Sequence, residues 1–238
     1  MNIKIFADGA DKKTILELAN NPLIRGLTTN PTLMRKAGVK DYKAFAQDIL
    51  SEVRPLPISL EVFEDSPLAI YQQAREIDAW GNGEWGNNVY VKIPVTTTRK
   101  TELRPIIKRL SQDGVKVNVT AVMTLDQVLD AAEALAFGTK SYISVFAGRI
   151  ADTGRDPIPR MAKALEIIKA VSPKTELIWA SPREVLNIVQ ADEIGCHVIT
   201  ATKDILDKLP LLGKNLEDYS LDTVKMFYKD AQESGYKL

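Results

Sequence analysis

The sequence is poor in the residues that most often carry catalysis and cross-linking. It has one cysteine, Cys196, and one histidine, His197, side by side. A lone cysteine excludes an internal disulfide framework and a thiolate zinc site. A lone histidine inside the apolar run Cys-His-Val-Ile predicts a hydrogen-bonded strand or loop residue, which argues against Ser-His-Asp triads and histidine metal clusters. Net charge is missing too: 31 Lys and Arg face 31 Asp and Glu. That balance argues against a nucleic-acid or membrane-surface role, since both rely on a surplus of basic groups. No run approaches the roughly 20 apolar residues of a membrane helix. The opening MNIKIFADGAD has no basic leader before an apolar stretch. The expectation is a cytoplasmic chain whose chemistry comes from Lys, Asp, Glu, Ser, Thr and Asn.

What is present is an alternation of element types. Short apolar runs occur at Ile3 to Ala7, Gly26 to Thr28, Ile58 to Val62, Val89 to Ile93, Val115 to Val119, Tyr142 to Phe146, Leu177 to Trp179 and Val198 to Thr200. Several are apolar at consecutive positions, as in strands of a parallel sheet buried on both faces. Between them lie helical stripes, such as Leu125, Val128, Leu129, Ala132, Leu135 and Ala136, or Met161, Ala164, Leu165 and Ile168. Thr124 with Gln127, and Ser181 with Glu184, have capping-box spacing, and Pro31 and Pro182 suit a first helical position. Eight strands alternating with helices predict an α/β fold, a (β/α)8 TIM barrel, with a doubly wound open sheet as the alternative. The 238 residues then form one barrel domain, 1–238, with 214–238 as a C-terminal helical extension. Ile205 to Leu212 and Leu216 to Ala231 read as helices, the second with Leu221, Val224, Tyr228 and Ala231 on one face. The loop from Trp80 through Trp85 reads as a surface loop with two packed tryptophans, or as an oligomer contact.

In such barrels the reactive groups sit where strands end. Here those ends are polar: Asp8, then Thr28-Thr29-Asn30, Glu61, Lys92, Asn118 with Thr120, and Ser144 with Arg149 beyond it. Lys92, inside Val-Tyr-Val-Lys-Ile-Pro, is the sharpest signal. Apolar surroundings disfavour an ammonium group, and a neutral amine can attack a carbonyl to form an imine. The protonated imine is an electron sink that allows carbon-carbon cleavage once a base takes the β-hydroxyl proton, and Asp8 and Glu61 are both available for that. The competing reading makes Lys92 an inward lysine in a buried ion pair with Glu61.

Six segments carry a resemblance: Phe6-Ala-Asp8, Gly26-Leu-Thr-Thr-Asn-Pro-Thr32, Ser59-Leu-Glu-Val62, Val91-Lys-Ile-Pro-Val-Thr96, Asn118-Val-Thr120 and Ser144-Val-Phe-Ala-Gly-Arg-Ile150. In this order the chain resembles the transaldolase family, in the compact branch that also holds the fructose-6-phosphate aldolases. The resemblance implies a TIM barrel that moves a dihydroxyacetone unit between sugar phosphates through a lysine Schiff base, as in the pentose phosphate pathway. It implies Lys92 as nucleophile, Asp8 as proton acceptor, and Glu61 and Thr120 as holders of the reaction water. Thr28, Asn30, Asn118 and Ser144 would bind the three-carbon unit and Arg149 the phosphate. No metal or organic cofactor is implied, and the branch forms homo-oligomers, often pentamers or decamers. Phe146 matches the transaldolases, whereas the aldolases place a tyrosine there; a lyase releasing free dihydroxyacetone and a non-catalytic sugar-phosphate binding barrel remain alternatives. After strand seven the family shows Ala-Ser-Phe followed by Arg or Lys. Here Trp179-Ala-Ser-Pro-Arg-Glu184 departs from it, Ser181 is expected to cap a helix, and Arg183 and Lys203 become candidate partners for the anionic group.

Overall fold

The computed structural model describes residues 1–53, 55–81 and 88–236; Trp85 lies outside them. Among the described residues, eight strands close into one parallel barrel in sequence order: β1 Lys4–Asp8, β2 Ile24–Thr28, β3 Ile58–Glu61, β4 Val89–Pro94, β5 Val117–Val122, β6 Ser141–Val145, β7 Thr175–Trp179 and β8 Val198–Ala201. The open-sheet alternative falls because β1 pairs with both β2 and β8. Every apolar run predicted from the sequence became a strand. No described helix is long and apolar enough to cross a membrane.

The outward faces of the strands, such as Val89, Val91 and Ile93 on β4, are fully buried beneath the surrounding helices. Helix entry follows local chemistry. Asp11, Asn30, Asp41 and Ser66 each accept a backbone N–H three residues on. Thr124 and Gln127 form both halves of the expected capping box. Ser181 does not cap. It adopts a left-handed backbone with φ of +60°, and the helix starts later, at Leu186. No side chain caps that helix; Asn187, inside it, accepts the Arg183 and Glu184 backbone N–H groups of the preceding loop through its Oδ1. Pro182 accordingly lies before the helix, not in its first turn.

The barrel's lower interior is aromatic. Phe6 meets Tyr142 edge-to-face, with centroids 5.7 Å apart, and Tyr142 packs on Tyr90 at 4.3 Å. The Phe6 ring fits because Gly26 opposite it has no side chain; a Cβ there would stand 2.5 Å from the ring. Gly26→Ala should therefore destabilise the barrel by about 1–3 kcal/mol, the usual cost of overpacking. Denaturant unfolding measures this, and an unchanged midpoint would contradict the packing argument.

His197 precedes β8 instead of lying within it, and its Nδ1 accepts the Leu177 N–H at 2.9 Å. Cys196 is buried, and burial pushes its thiol up to about 12.

The chain divides into two compact units, Met1–Leu206 and Asp207–Leu238. The helix expected over Ile205 to Leu212 is interrupted. A single turn, Lys203–Leu206, is followed by a 3-10 turn, Leu209–Leu211. Pro210 contributes the reason, since it lacks the N–H that would continue the α-helical ladder onto the Leu206 carbonyl. The second unit's long helix runs from Leu216 to Ser234, capped by the Asn215 side chain and closed by Gly235 at φ +64°. Leu216, Leu221, Val224, Phe227 and Tyr228 on it are exposed.

Candidate active site

A cavity of about 600 Å³ opens at the C-terminal ends of the strands. Asp8, Thr28, Asn30, Glu61, Lys92, Thr120, Ser144, Phe146, Arg149 and Arg183, all named from the sequence, line it. Strand register brings them together: Asp8 pairs with Thr28, Glu61 with Lys92, and Lys92 with Asn118.

Lys92 forms the floor. Its Nζ donates to the Thr29 carbonyl at 3.0 Å and lies 3.1 Å from Glu61 Oε2, with the two side chains 7% and 15% exposed. The Lys92–Glu61 ion pair of the competing reading is thus present, and both residues line the cavity. Tyr42 supports it from behind, donating its hydroxyl to the Glu61 carbonyl at 3.0 Å and packing edge-on against Phe63 and Trp80. Burial, then the Glu61 carboxylate, push the Tyr42 phenol well above its usual range.

Asp8 accepts a 2.7 Å hydrogen bond from the Thr28 hydroxyl, which lies 2.6 Å from that of Thr200. Burial raises the Asp8 carboxyl above its ordinary value, while the Lys92 charge and the Thr28 hydroxyl pull it back. A lifted carboxyl beside a buried amine is the pairing from which acid-base chemistry is built.

On β5 a bulge alters the strand's course. Val119 pairs with Ile143 and Val122 with Val145, so three steps on β5 span two on β6. Ala121 absorbs the extra residue at φ +60°, a region that non-glycine residues seldom occupy. Beside it, Thr120 lines the cavity, and its buried hydroxyl has no hydrogen-bond partner among the described residues. A buried hydroxyl normally finds a partner, so this one is available to a bound molecule.

Asn118 departs from expectation. It lies one inward step below Thr120, has no exposed surface, and is not part of the cavity wall. Its Nδ2 donates to Ser59 Oγ at 3.0 Å and its Oδ1 accepts from Ser144 Oγ at 2.7 Å. Its side chain fixes the Ser144 hydroxyl at the wall. Asn30 is divided between two tasks, since its Oδ1 caps the helix Pro31–Lys36 through the Leu33 N–H. Its amide nitrogen remains free to donate.

The mouth is cationic. Arg183 grips Asp152 through Nε and a second nitrogen, and donates to Ser181 Oγ at 3.0 Å. Arg149 lies 5.5 Å from the Phe146 ring centroid. The Ser181 carbonyl would sit 1.6 Å from a Cβ on Gly148, so only glycine allows the Arg149 turn to approach that loop. Lys203 is not part of the wall; its Nζ is 3.3 Å from Glu17. Lys36, Thr200 and Thr202 also line the cavity and were not among the residues expected there. Thr200 ends an apolar run as Thr28 does, and the rule applied to strands one to six would have found it on strand eight. Among the described residues, no three His, Cys, Asp or Glu side chains converge to hold a metal ion.

A family model described as Transaldolase/Fructose-6-phosphate aldolase matches residues 5–238. The chain belongs to this family. A "Probable transaldolase" of Methanococcus maripaludis C7 is 33% identical over 223 residues, covering 92% of this chain and 97% of that one. Another, from Dehalococcoides mccartyi 195, is 32% identical over 223 residues, with the same coverage of 92% and 97%. Among solved structures, dihydrodipicolinate synthase from Rhodopseudomonas palustris superposes with a TM-score of 0.55 at 13% identity, over 83% of this chain and 69% of that one. At that identity the likeness speaks for the barrel alone. The transaldolase/fructose-6-phosphate aldolase family membership agrees with the six sequence segments, all of which fall on or beside the cavity.

Proposed function

We propose that this chain is a transaldolase-type transferase that moves a dihydroxyacetone unit between sugar phosphates through an imine on Lys92. The observation that carries the reading is a buried amine at the floor of a barrel-mouth cavity, 3.1 Å from one carboxylate and facing a second whose proton affinity is raised. Glu61 takes the Lys92 proton and the freed amine attacks the ketose carbonyl. Loss of water from the adduct leaves the imine, and Glu61 and Thr120, both in the cavity wall, hold that water. Asp8 then removes the β-hydroxyl proton, the carbon-carbon bond breaks toward the protonated imine, and an aldose leaves while an enamine stays on Lys92. Attack of the enamine on an acceptor aldehyde, with Asp8 returning its proton, reverses these steps; hydrolysis frees the new ketose.

Thr28, Asn30 and Ser144 hold the hydroxyls of the three-carbon unit, and Asn118 acts through Ser144. Arg149 and Arg183 receive the phosphate, the latter braced by Asp152. The exposed apolar stripe of the helix Leu216–Ser234 supports assembly into a homo-oligomer.

Phe146 argues for transfer over release. A phenol at that position could protonate the enamine and set dihydroxyacetone free, whereas a phenylalanine has no proton to give. Fructose 6-phosphate alone should therefore yield little free dihydroxyacetone, and product should appear when erythrose 4-phosphate is added. Steady dihydroxyacetone release from the single substrate would replace this reading with the lyase.

A further inference from the structure

At the opposite end of the barrel, where the strands begin, a separate cavity of about 450 Å³ is lined by Lys4, Lys140, Lys174, His197, Tyr90 and Tyr142. Among the described residues, Glu176 is the one carboxylate in its wall, and Lys4 already engages both of its oxygens at 2.6 Å. Lys140 and Lys174 are exposed and have no carboxylate partner among the described residues. Lys116 stands beside them, 5.5 Å over the Tyr90 ring. His197 accepts the Leu177 N–H at Nδ1, which leaves the neutral ring's proton on Nε2 as a donor. The wall thus offers ammonium, imidazole and phenol donors in excess of acceptors.

Burial lowers the His197 pKa; Glu176 is the strongest charge acting on it and opposes that shift, while Lys169 and Lys4 act with burial. Burial and then Lys140 lower that of Lys116, with Asp78 opposing. Positive groups here disfavour one another, and an anion among them would relieve the strain.

We propose that this cavity is a second binding site, for a small phosphoryl anion: free phosphate or pyrophosphate, or the phosphate of a small monoester. Compact ammonium charges joined by N–H and O–H donors suit a tetrahedral dianion with several acceptor oxygens. The site lies away from the catalytic mouth and does not depend on the chemistry assigned there.

His197 is the only histidine in the chain, so a nitrogen-edited imidazole NMR signal reports on this cavity without ambiguity. Inorganic phosphate, pyrophosphate and glycerol 2-phosphate, titrated separately at constant ionic strength, should shift that signal saturably. The order of their affinities distinguishes a free anion from a monoester as occupant. Lys140→Ala/Lys174→Ala should weaken the response at least tenfold, and Arg149→Ala, at the far mouth, should leave it intact. The site is refuted if none of the three probes gives a saturable shift, or if chloride shifts the signal equally. It is also refuted if the double lysine variant responds with native affinity or if Arg149→Ala abolishes the response.

Discussion

Lys92→Ala should lose more than about ten-thousand-fold of turnover, since removing a covalent nucleophile leaves only binding and electrostatic catalysis behind. Treated with a ketose phosphate donor and borohydride, the native chain should gain the mass of a reduced three-carbon adduct, on the peptide that contains Lys92. The variant should gain none. The fold needs a separate control, because Lys92→Ala orphans the Glu61 carboxylate, which is only 15% exposed. Breaking a buried pair from one side commonly destabilises by about 3–5 kcal/mol. Lys92→Met/Glu61→Gln removes both charges while keeping the volume, and should unfold cooperatively with native-like circular dichroism and no turnover. Retained turnover in either variant, or an adduct on another lysine, would contradict the imine on this residue.

How much of this was legible in the sequence depends on the length scale of the cause. β4 was plain because Val89 through Ile93 is apolar at consecutive positions around one lysine, a pattern for a strand covered on both faces. Thr124 with Gln127 was plain because a capping box is local to four residues. Ser181 with Glu184 has the same spacing but does not cap: Ser181 has a left-handed backbone and its carbonyl lies against Gly148, more than thirty positions away in sequence, a contact that no local pattern announces. Asn118 shows the same limit within the site. Its side-chain type suited a sugar hydroxyl, yet its depth on β5, and the Ser59 and Ser144 hydroxyls beside it, follow from barrel closure. The positive φ at Ala121 leaves no trace in composition, since alanine carries no preference for that region. The polar strand ends that define the cavity were readable because a polar residue closing an apolar run costs burial energy unless the cavity makes use of it.

Asp8→Asn tests the second carboxylate, and its two consequences point in opposite directions. Turnover should fall by about a hundred-fold to ten-thousand-fold, the usual share of general acid-base catalysis. Borohydride trapping of the donor should survive, because imine formation precedes the step in which Asp8 acts. In the native chain turnover should fall on the acid side, with an apparent pKa above the ordinary aspartate value of 3.8, since burial holds the carboxyl there. Stability moves the other way. A carboxyl whose pKa is raised on folding binds its proton more tightly in the native state than in the unfolded chain. Its contribution is therefore fully favourable below pH 3.8, is lost as pH climbs through the raised folded value, and stays lost at neutral pH. Asparagine has the same shape, keeps an oxygen to accept the Thr28 hydroxyl, and carries no charge to desolvate. Asp8→Asn should thus melt at or above the native temperature at pH 7, with the advantage shrinking as the pH is lowered toward 4. A variant that melts lower at pH 7, or that keeps native turnover, would mean that the Asp8 carboxylate is there to hold the barrel together and not to move a proton.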